Sequence, residues 1–259
     1  MKNLLYLILL ITISAKAQIY EVLVDTKHQT IYSEKGLEFF NEIKDVDARK
    51  WNIEQNSNPP VLNFKIIADK NNLNISELDK INNSQENTGS IKKSVPNLPF
   101  GFSAVNYKDA FALRPVDVYG KKYIEKAELK ELDWKIENEF KEILGYKVQK
   151  ATSKYQNFDV IIWFTKDIKP NFMPGYNIKP IDGFVLEMQY MIENESGKML
   201  NTIYVTSLKE IKKYTFKSPI AELGKKNNIV SSDELDKIYE EANKKRNEMY
   251  NQDNGVDKK

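Results

Sequence analysis

The sequence predicts an α+β protein that is mostly antiparallel β: a curved meander sheet or open half-barrel with a C-terminal helix and one or two further helices. Three observations predict it. Two hairpins with period-2 patterning follow one another between Gly145 and Ser207. No regular alternation of strand and helix units occurs, which argues against a parallel α/β sheet. The chain then closes on a capped amphipathic segment.

The first seventeen residues stand apart from this body. Met1-Lys2-Asn3 is a short basic start, Leu4 to Ile13 is uncharged and apolar, and Ser14-Ala15-Lys16-Ala17 offers small residues at an A-x-A site before Gln18. That order reads as a cleavable secretory signal peptide with cleavage between Ala17 and Gln18. About ten apolar residues fall short of the ~20 needed to span a bilayer. No Cys follows to take a lipid, and no later segment reaches spanning length. The expected location is therefore the periplasm or the exterior, with or without outer-membrane association.

The expected single domain runs from 18 to 250, with a polar tail over 251–259. Ile19 to Asp25 alternates around Tyr20, Val22 and Val24 as a first strand. Glu34 to Lys44 places Leu37, Phe39, Phe40 and Ile43 near helical spacing, and Asn56 to Pro60 breaks the chain. Val61 to Ala68 reads as a strand. Residues 69–97 read as a polar insert or loop, with a short helix from Ser76. Ala110 to Arg114, Val116 to Tyr119 and Tyr123 to Ala127 read as short strands separated by Pro115 and Gly120. Glu128 to Leu144 fits a helix by the spacing of Leu129, Leu132, Ile136, Phe140 and Ile143, and a strand by the alternation of Trp134 and Ile136.

The hairpins come next, within a meander expected over 123–207. Gly145 to Ser153 pairs with Phe158 to Thr165. Phe184, Leu186, Met188, Tyr190 and Ile192 alternate against Val185, Glu187, Gln189 and Met191, turn at Asn194 to Gly197, and return as Met199 to Ser207. The helix over 231–250 carries Ser231 and Glu234 as a capping box and Leu235, Ile238, Tyr239 and Ala242 as its apolar stripe.

Composition bounds the chemistry. Lys and Arg number 39 against 37 Asp and Glu, and Lys2 and Lys16 leave with the signal peptide, so the mature chain is close to neutral. No basic field exists to hold nucleic acid. With no Cys there is no disulfide and no thiolate chemistry, and one histidine, His28, cannot build a multi-His metal site. No cofactor or metal is implied, and no catalytic constellation stands out. His28 reads as a surface histidine at a strand end. Asp159, Asp167, Asp182 and Glu187 could furnish a carboxylate pair for a hydrolase of envelope peptides or glycans. Asp69 to Asn74 hints at a calcium loop but lacks the glycine and terminal Glu.

Leu132-Asp133-Trp134-Lys135, then Ile143-Leu144-Gly145-Tyr146-Lys147-Val148-Gln149-Lys150-Ala151-Thr152, then Trp163-Phe164-Thr165 resemble the signature order of the GLPGLI family. The naming segment would be Pro180-Ile181-Asp182-Gly183-Phe184-Val185, where Gly183 is retained and Pro180 and Asp182 depart from the pattern. Pro174-Gly175-Tyr176 stands where the family shows Gly-Pro and an aromatic, and Tyr239 to Asn247 resembles its closing helix. The resemblance covers Tyr123 to Val185 and that helix. It implies an exported bacterial envelope protein without established activity or cofactor, and a TonB-dependent outer-membrane receptor as a candidate partner. It carries no site residues.

The reading that follows is noncatalytic binding of an apolar ligand or a protein partner, on a concave face lined by Trp163, Phe184, Leu186 and Tyr190. The alternatives are the carboxylate hydrolase and an accessory protein to an outer-membrane receptor. Mass spectrometry of the exported chain is expected to give Gln18 as its first residue; a chain that retains Met1 would refute the cleavage site.

Overall fold

The computed structural model describes residues 18–78, 102–156, 158–174, 177–220 and 228–253. The expected signal peptide, residues 1–17, lies outside the described residues, as do most of the expected polar insert and the end of the tail. Gln18, the expected mature start, is exposed.

One open sheet of twelve strands organises the chain. Its strands are β1 (Ile19–Tyr32), β2 (Leu62–Ala68), β3 (Asn72–Glu77), β4 (Ala104–Asn106), β5 (Phe111–Val118), β6 (Lys121–Glu128), β7 (Lys135–Ile143), β8 (Tyr146–Tyr155), β9 (Phe158–Thr165), β10 (Phe184–Asn194), β11 (Gly197–Ile211) and β12 (Ile229–Val230). The spatial order is β12-β6-β5-β4-β3-β2-β1-β11-β10-β9-β8-β7. Every pairing is antiparallel except β12 on β6. The helices are α1 (Glu34–Glu38), α2 (Val46–Ser57) and α3 (Ser232–Asp253).

Two meanders are thus joined at one seam. Residues 19–128 supply β1 to β6, residues 135–211 supply β7 to β11, and β1 lies along β11 from Ile19↔Ile211 to Tyr32↔Gly197. The meander expected over 123–207 begins instead at β7, because β6, which holds Tyr123 to Ala127, pairs with β5 at the far side of the sheet.

Buried side chains run across this sheet in register, on one face. On one side of the seam the row is Ala127, Ala112, Val105, Leu73, Ala68 and Tyr20. On the other it is Thr26, Ile203, Met188, Ile162 and Ala151. All but Tyr20 are buried, as period-2 alternation requires of residues that share one covered face. A smaller cluster of Ala104, Leu113 and Ile124, joined by Phe111, Ile220 and Ile229, covers the opposite face of β4 to β6.

Local chemistry explains the strand ends. Leu144 and Gly145 both have positive φ, +52° and +80°, the two-residue turn whose twist matches an antiparallel hairpin. Asp69 accepts hydrogen bonds from the backbone N–H groups of Asn71 and Asn72, so the suspected calcium loop is the β2–β3 turn. Consequently Asn72–Glu77 is strand β3, and no helix begins at Ser76. Pro115 does not split β5, because among the described residues β4 pairs only with Phe111 to Leu113 and no strand lies beside the rest of β5 on that side.

The ambiguous stretch before Leu144 resolves as β7, whose register slips between Ile136 and Phe140. Both of those side chains are about half exposed. A charged, bulged outer strand at one edge and a two-residue strand at the other leave little to template edge-to-edge pairing.

The helices add little core. α2 has an Asp45 cap bonded to the Ala48 N–H, yet none of its side chains is buried. The expected capping box of α3 is present: Ser231 N–H donates to Glu234 Oε2 at 2.8 Å, and Glu234 N–H donates to Ser231 Oγ at 3.3 Å. Of its stripe only Leu235 is buried, while Tyr239 is exposed. The helix runs to Asp253, past the expected start of the tail at 251.

A Cβ on Gly183 would sit 2.6 Å from the Phe164 ring and 2.8 Å from the Thr165 carbonyl, whereas one on Gly145 meets nothing within 4 Å. Gly145→Ala is therefore expected to cost about 1 kcal/mol through its positive φ alone. Gly183→Ala should cost more, roughly 2–3 kcal/mol, by forcing the β9–β10 junction apart. Urea denaturation of the two variants checks the order.

Candidate functional site

A single sheet must cover its apolar face with a second layer. Here the segment between β9 and β10, residues 166–183, does much of this. Ile168, Phe172, Met173 and Ile178 are each at most 3% exposed and belong to the same core cluster as Val22, Ile66, Ile162 and Met188. Phe172 stacks on Phe184 at 4.4 Å, and Tyr20 meets Phe184 edge-on at 5.9 Å. The segment also touches both halves of the sheet. Tyr107, next to β4, donates to the Met173 carbonyl at 3.3 Å. The Lys130 N–H donates to Asn177 O at 2.7 Å, and the Lys179 N–H donates to Lys130 O at 2.8 Å.

Asn177 is a second bridge between the halves. Its amide donates to the Glu128 carbonyl at 3.0 Å, and its Oδ1 accepts from the Tyr155 hydroxyl at 2.7 Å. Glu128 ends β6 and Tyr155 ends β8, so strands far apart in the sheet order meet through one buried side chain.

Beside this bridge opens a cleft of about 850 Å³. Its walls come from β5 and β6 (Arg114, Glu125), from the β8–β9 turn (Gln156, Phe158) and from the start of α3 (Asp233, Asp236). Glu125 is 4% exposed and fully engaged. Its Oε2 accepts from Arg114 Nε at 2.6 Å and lies 2.5 Å from Nη2 as an ion pair, and its Oε1 accepts from the Ser232 hydroxyl at 2.6 Å. A buried carboxylate needs such partners, and these two also tie α3 to the sheet. The guanidinium of Arg114 lies 5.7 Å from the centre of the Phe102 ring, which supports its flat face.

The residues singled out from the sequence fall in different places. Phe184, Leu186 and Tyr190 are buried, Phe184 and Leu186 completely, and Tyr190 pairs with Val160 on the covered face. Trp163 stands on the opposite face of β9, paired with Glu187 in the register, under the Lys141 ammonium at 4.3 Å. The four do not share a face. Asp159 and Glu187 do lie on one face of β9 and β10, four register positions apart, which is about 13 Å along the strands. Three of the four carboxylates have cations: Asp159 pairs with Lys154, Glu187 with Lys141, and Asp182 with Lys166 and Lys169. Asp167 stands in the turn after β9, where its N–H donates to the Thr165 hydroxyl.

His28 is a half-buried residue in the middle of β1 rather than a surface residue at a strand end. Its ring nitrogens lie 2.7 Å from Asn201 Oδ1 and 2.9 Å from Thr30 Oγ1. No cluster of three or more metal-binding side chains occurs among the described residues. No helix among them is long and apolar enough to cross a membrane. Arg114 and Glu125 could not be found from the sequence, because their pairing exists only through the β5–β6 register.

No family model matches the chain, and no curated protein matches it. Two solved structures of PNGF-II, in different crystal forms, are similar to it in part. One is 20% identical with a TM-score of 0.48, over 87% of this chain and 32% of that one. The other is 19% identical with a TM-score of 0.42, over 83% of this chain and 31% of that one. The chain thus spans about a third of the length of those structures.

Burial pushes the Tyr107 hydroxyl well above the ordinary tyrosine range, and the Tyr155 hydroxyl is also raised, chiefly by burial. The folded chain keeps these protons at a pH where the unfolded chain, titrating at about 10, has released them. Their contribution is complete below about pH 10 and is lost as the pH rises beyond it. Denaturation midpoints are expected to fall steeply above that pH, and less steeply in Tyr107→Phe.

Proposed function

We propose that the chain is an exported, noncatalytic envelope protein of the GLPGLI kind, and that it binds a segment of a partner protein in the cleft beside Asn177. The observation that carries this reading is the filled apolar face. The surface expected to hold an apolar ligand is occupied by the protein's own residues 166–183, while the cleft at the sheet's margin stands open.

Displacement of that segment to admit a lipid is unfavourable. Exposing Ile168, Phe172, Met173 and Ile178 would cost about 1.5–3 kcal/mol each. The sum rivals the 5–15 kcal/mol that stabilises a whole domain. The segment is structural.

The reading includes a curled sheet, an open half-barrel with the cleft at its mouth. From β6 to β7 the order crosses ten inter-strand steps, about 48 Å if the sheet were flat. Residues 129–134 alone join these strands and reach about 25 Å at most. Curling brings the two margins within that reach, and the bonds of Asn177 to Glu128 and Tyr155 span the remaining gap. The cleft is the place where the margins do not meet. Its mixture of aromatic rings and charges of both signs suits a polypeptide better than an acyl chain. A receptor of the envelope is the class of partner that the family resemblance implies.

Two measurements test the reading. Native mass spectrometry of the protein purified from the envelope should return the mature chain without lipid; a retained lipid would overturn it. Panning of displayed peptides should enrich binders that weaken at least tenfold against Asp236→Trp, which narrows the cleft from an exposed helical position. Binders indifferent to that substitution would also overturn it.

A further inference from the structure

We infer that the cleft recognises the free C-terminal carboxylate of a polypeptide, with Arg114 as the residue that grips it. The inference rests on the peptide-binding reading above and narrows it to one chemical group.

The argument begins with the donors of Arg114. A guanidinium carries five N–H groups in a planar fork. Glu125 Oε2 takes one from Nε, and Nη2 lies 2.5 Å from the same oxygen as an ion pair. The remaining donors have no hydrogen-bond partner among the described residues, although Arg114 lines an open cleft and its side chain is 36% exposed. A guanidinium whose role ended at neutralising Glu125 would need no free edge on the cleft.

The fork is also held in place. One hydrogen bond and an ion-pair contact to a single oxygen of a buried carboxylate hold one edge, and the Phe102 ring centre lies 5.7 Å from the guanidinium carbon. Preorganisation of this kind favours a planar, bidentate anion such as a carboxylate over a diffuse charge, and it reduces the entropy lost on binding. Because Glu125 already balances the arginine charge, affinity must come from geometry, which selects a planar carboxylate presented at close range.

The rest of the cleft indicates what precedes that carboxylate. The Phe158 and Phe102 rings offer apolar surface for the terminal side chain. Asp233 and Asp236, on the first turns of α3, form an acidic wall. Neither has a cationic partner among the described residues, so this wall favours a lysine or arginine upstream and disfavours acidic chains. The ligand is therefore a peptide with an apolar last residue, a free carboxyl end and a basic residue shortly before it.

The test compares acetyl-Lys-Ala-Ala-Phe as the free acid and as the C-terminal amide, by calorimetry against the full mature chain. The free acid is expected to bind at least tenfold more tightly. Equal affinities would overturn the carboxylate inference and leave the peptide-binding reading standing. Absence of binding by both peptides would overturn the two together. Arg114→Lys retains the charge opposite Glu125 and removes the fork, and it should abolish the preference for the acid. A preference that survives in a variant whose melting profile is unchanged would remove Arg114 from the role. If that variant fails to fold, the acid–amide comparison on the native chain decides alone.

Discussion

Everything else in the structure depends on one pairing between the ends of the chain. β1 and β11 run side by side over the whole of β1, with partners from 165 residues apart (Tyr32↔Gly197) to 192 apart (Ile19↔Ile211). Each meander is otherwise built from strands consecutive in the chain, paired neighbour to neighbour. Without this seam, β1 and β11 would be two long unpaired edges, which are templates for aggregation. With it, the buried face of one meander continues into that of the other. The register slips once, between Leu23 and Val24, yet Val22 and Val24 are both completely buried. The extra residue falls on β11, so β1 keeps its alternation across the slip. Closing so long a loop is entropically costly and slow, which places the seam late in assembly, after the local hairpins.

The seam also dictates how the interior is filled. A continuous sheet presents more apolar face than the helices of the described residues, with so few buried side chains, can cover. The segment between β9 and β10 takes that place, anchored by Phe172 on Phe184 and by the backbone bonds around Lys130. Its position explains why Gly183 has no side chain: the chain must turn from the covering layer back into β10 directly against Phe164. The residues that made this region look like a ligand face are the floor on which the segment rests.

Much of the local structure is legible in the sequence because it is set by near neighbours. The β8–β9 and β10–β11 hairpins follow from alternation, the turn at Gly197 from its freedom at φ +136°, and the start of α3 from Ser231 and Glu234. Where the sequence misleads, a distant partner decides. Leu129 to Ile143 has helical spacing, but β8 and the Leu144–Gly145 turn make its second half a strand. Trp163 and Tyr190 are expected on one concave face, whereas the register pairs Trp163 with Glu187 and Tyr190 with Val160 on the opposite, covered face. Helix α2 has no apolar periodicity to reveal it, since it buries no side chain; only its Asp45 cap marks its start.

The same distinction governs the candidate site. Arg114 and Glu125 are eleven residues apart, on strands that look unremarkable one at a time, and their chemistry appears only when β5 and β6 are aligned. The cleft further requires α3, whose Ser232 reaches Glu125, and the β8–β9 turn from the other half of the chain. The covered face is filled by the chain's own residues, and this cleft lies at the margin of the sheet. There the two halves approach without pairing, and polar groups must find partners other than strands. Asn177 spends its amide on closing that gap, and Glu125 spends its carboxylate on holding the helix to the sheet. Arg114 alone among these retains an open edge, and that edge faces the cleft.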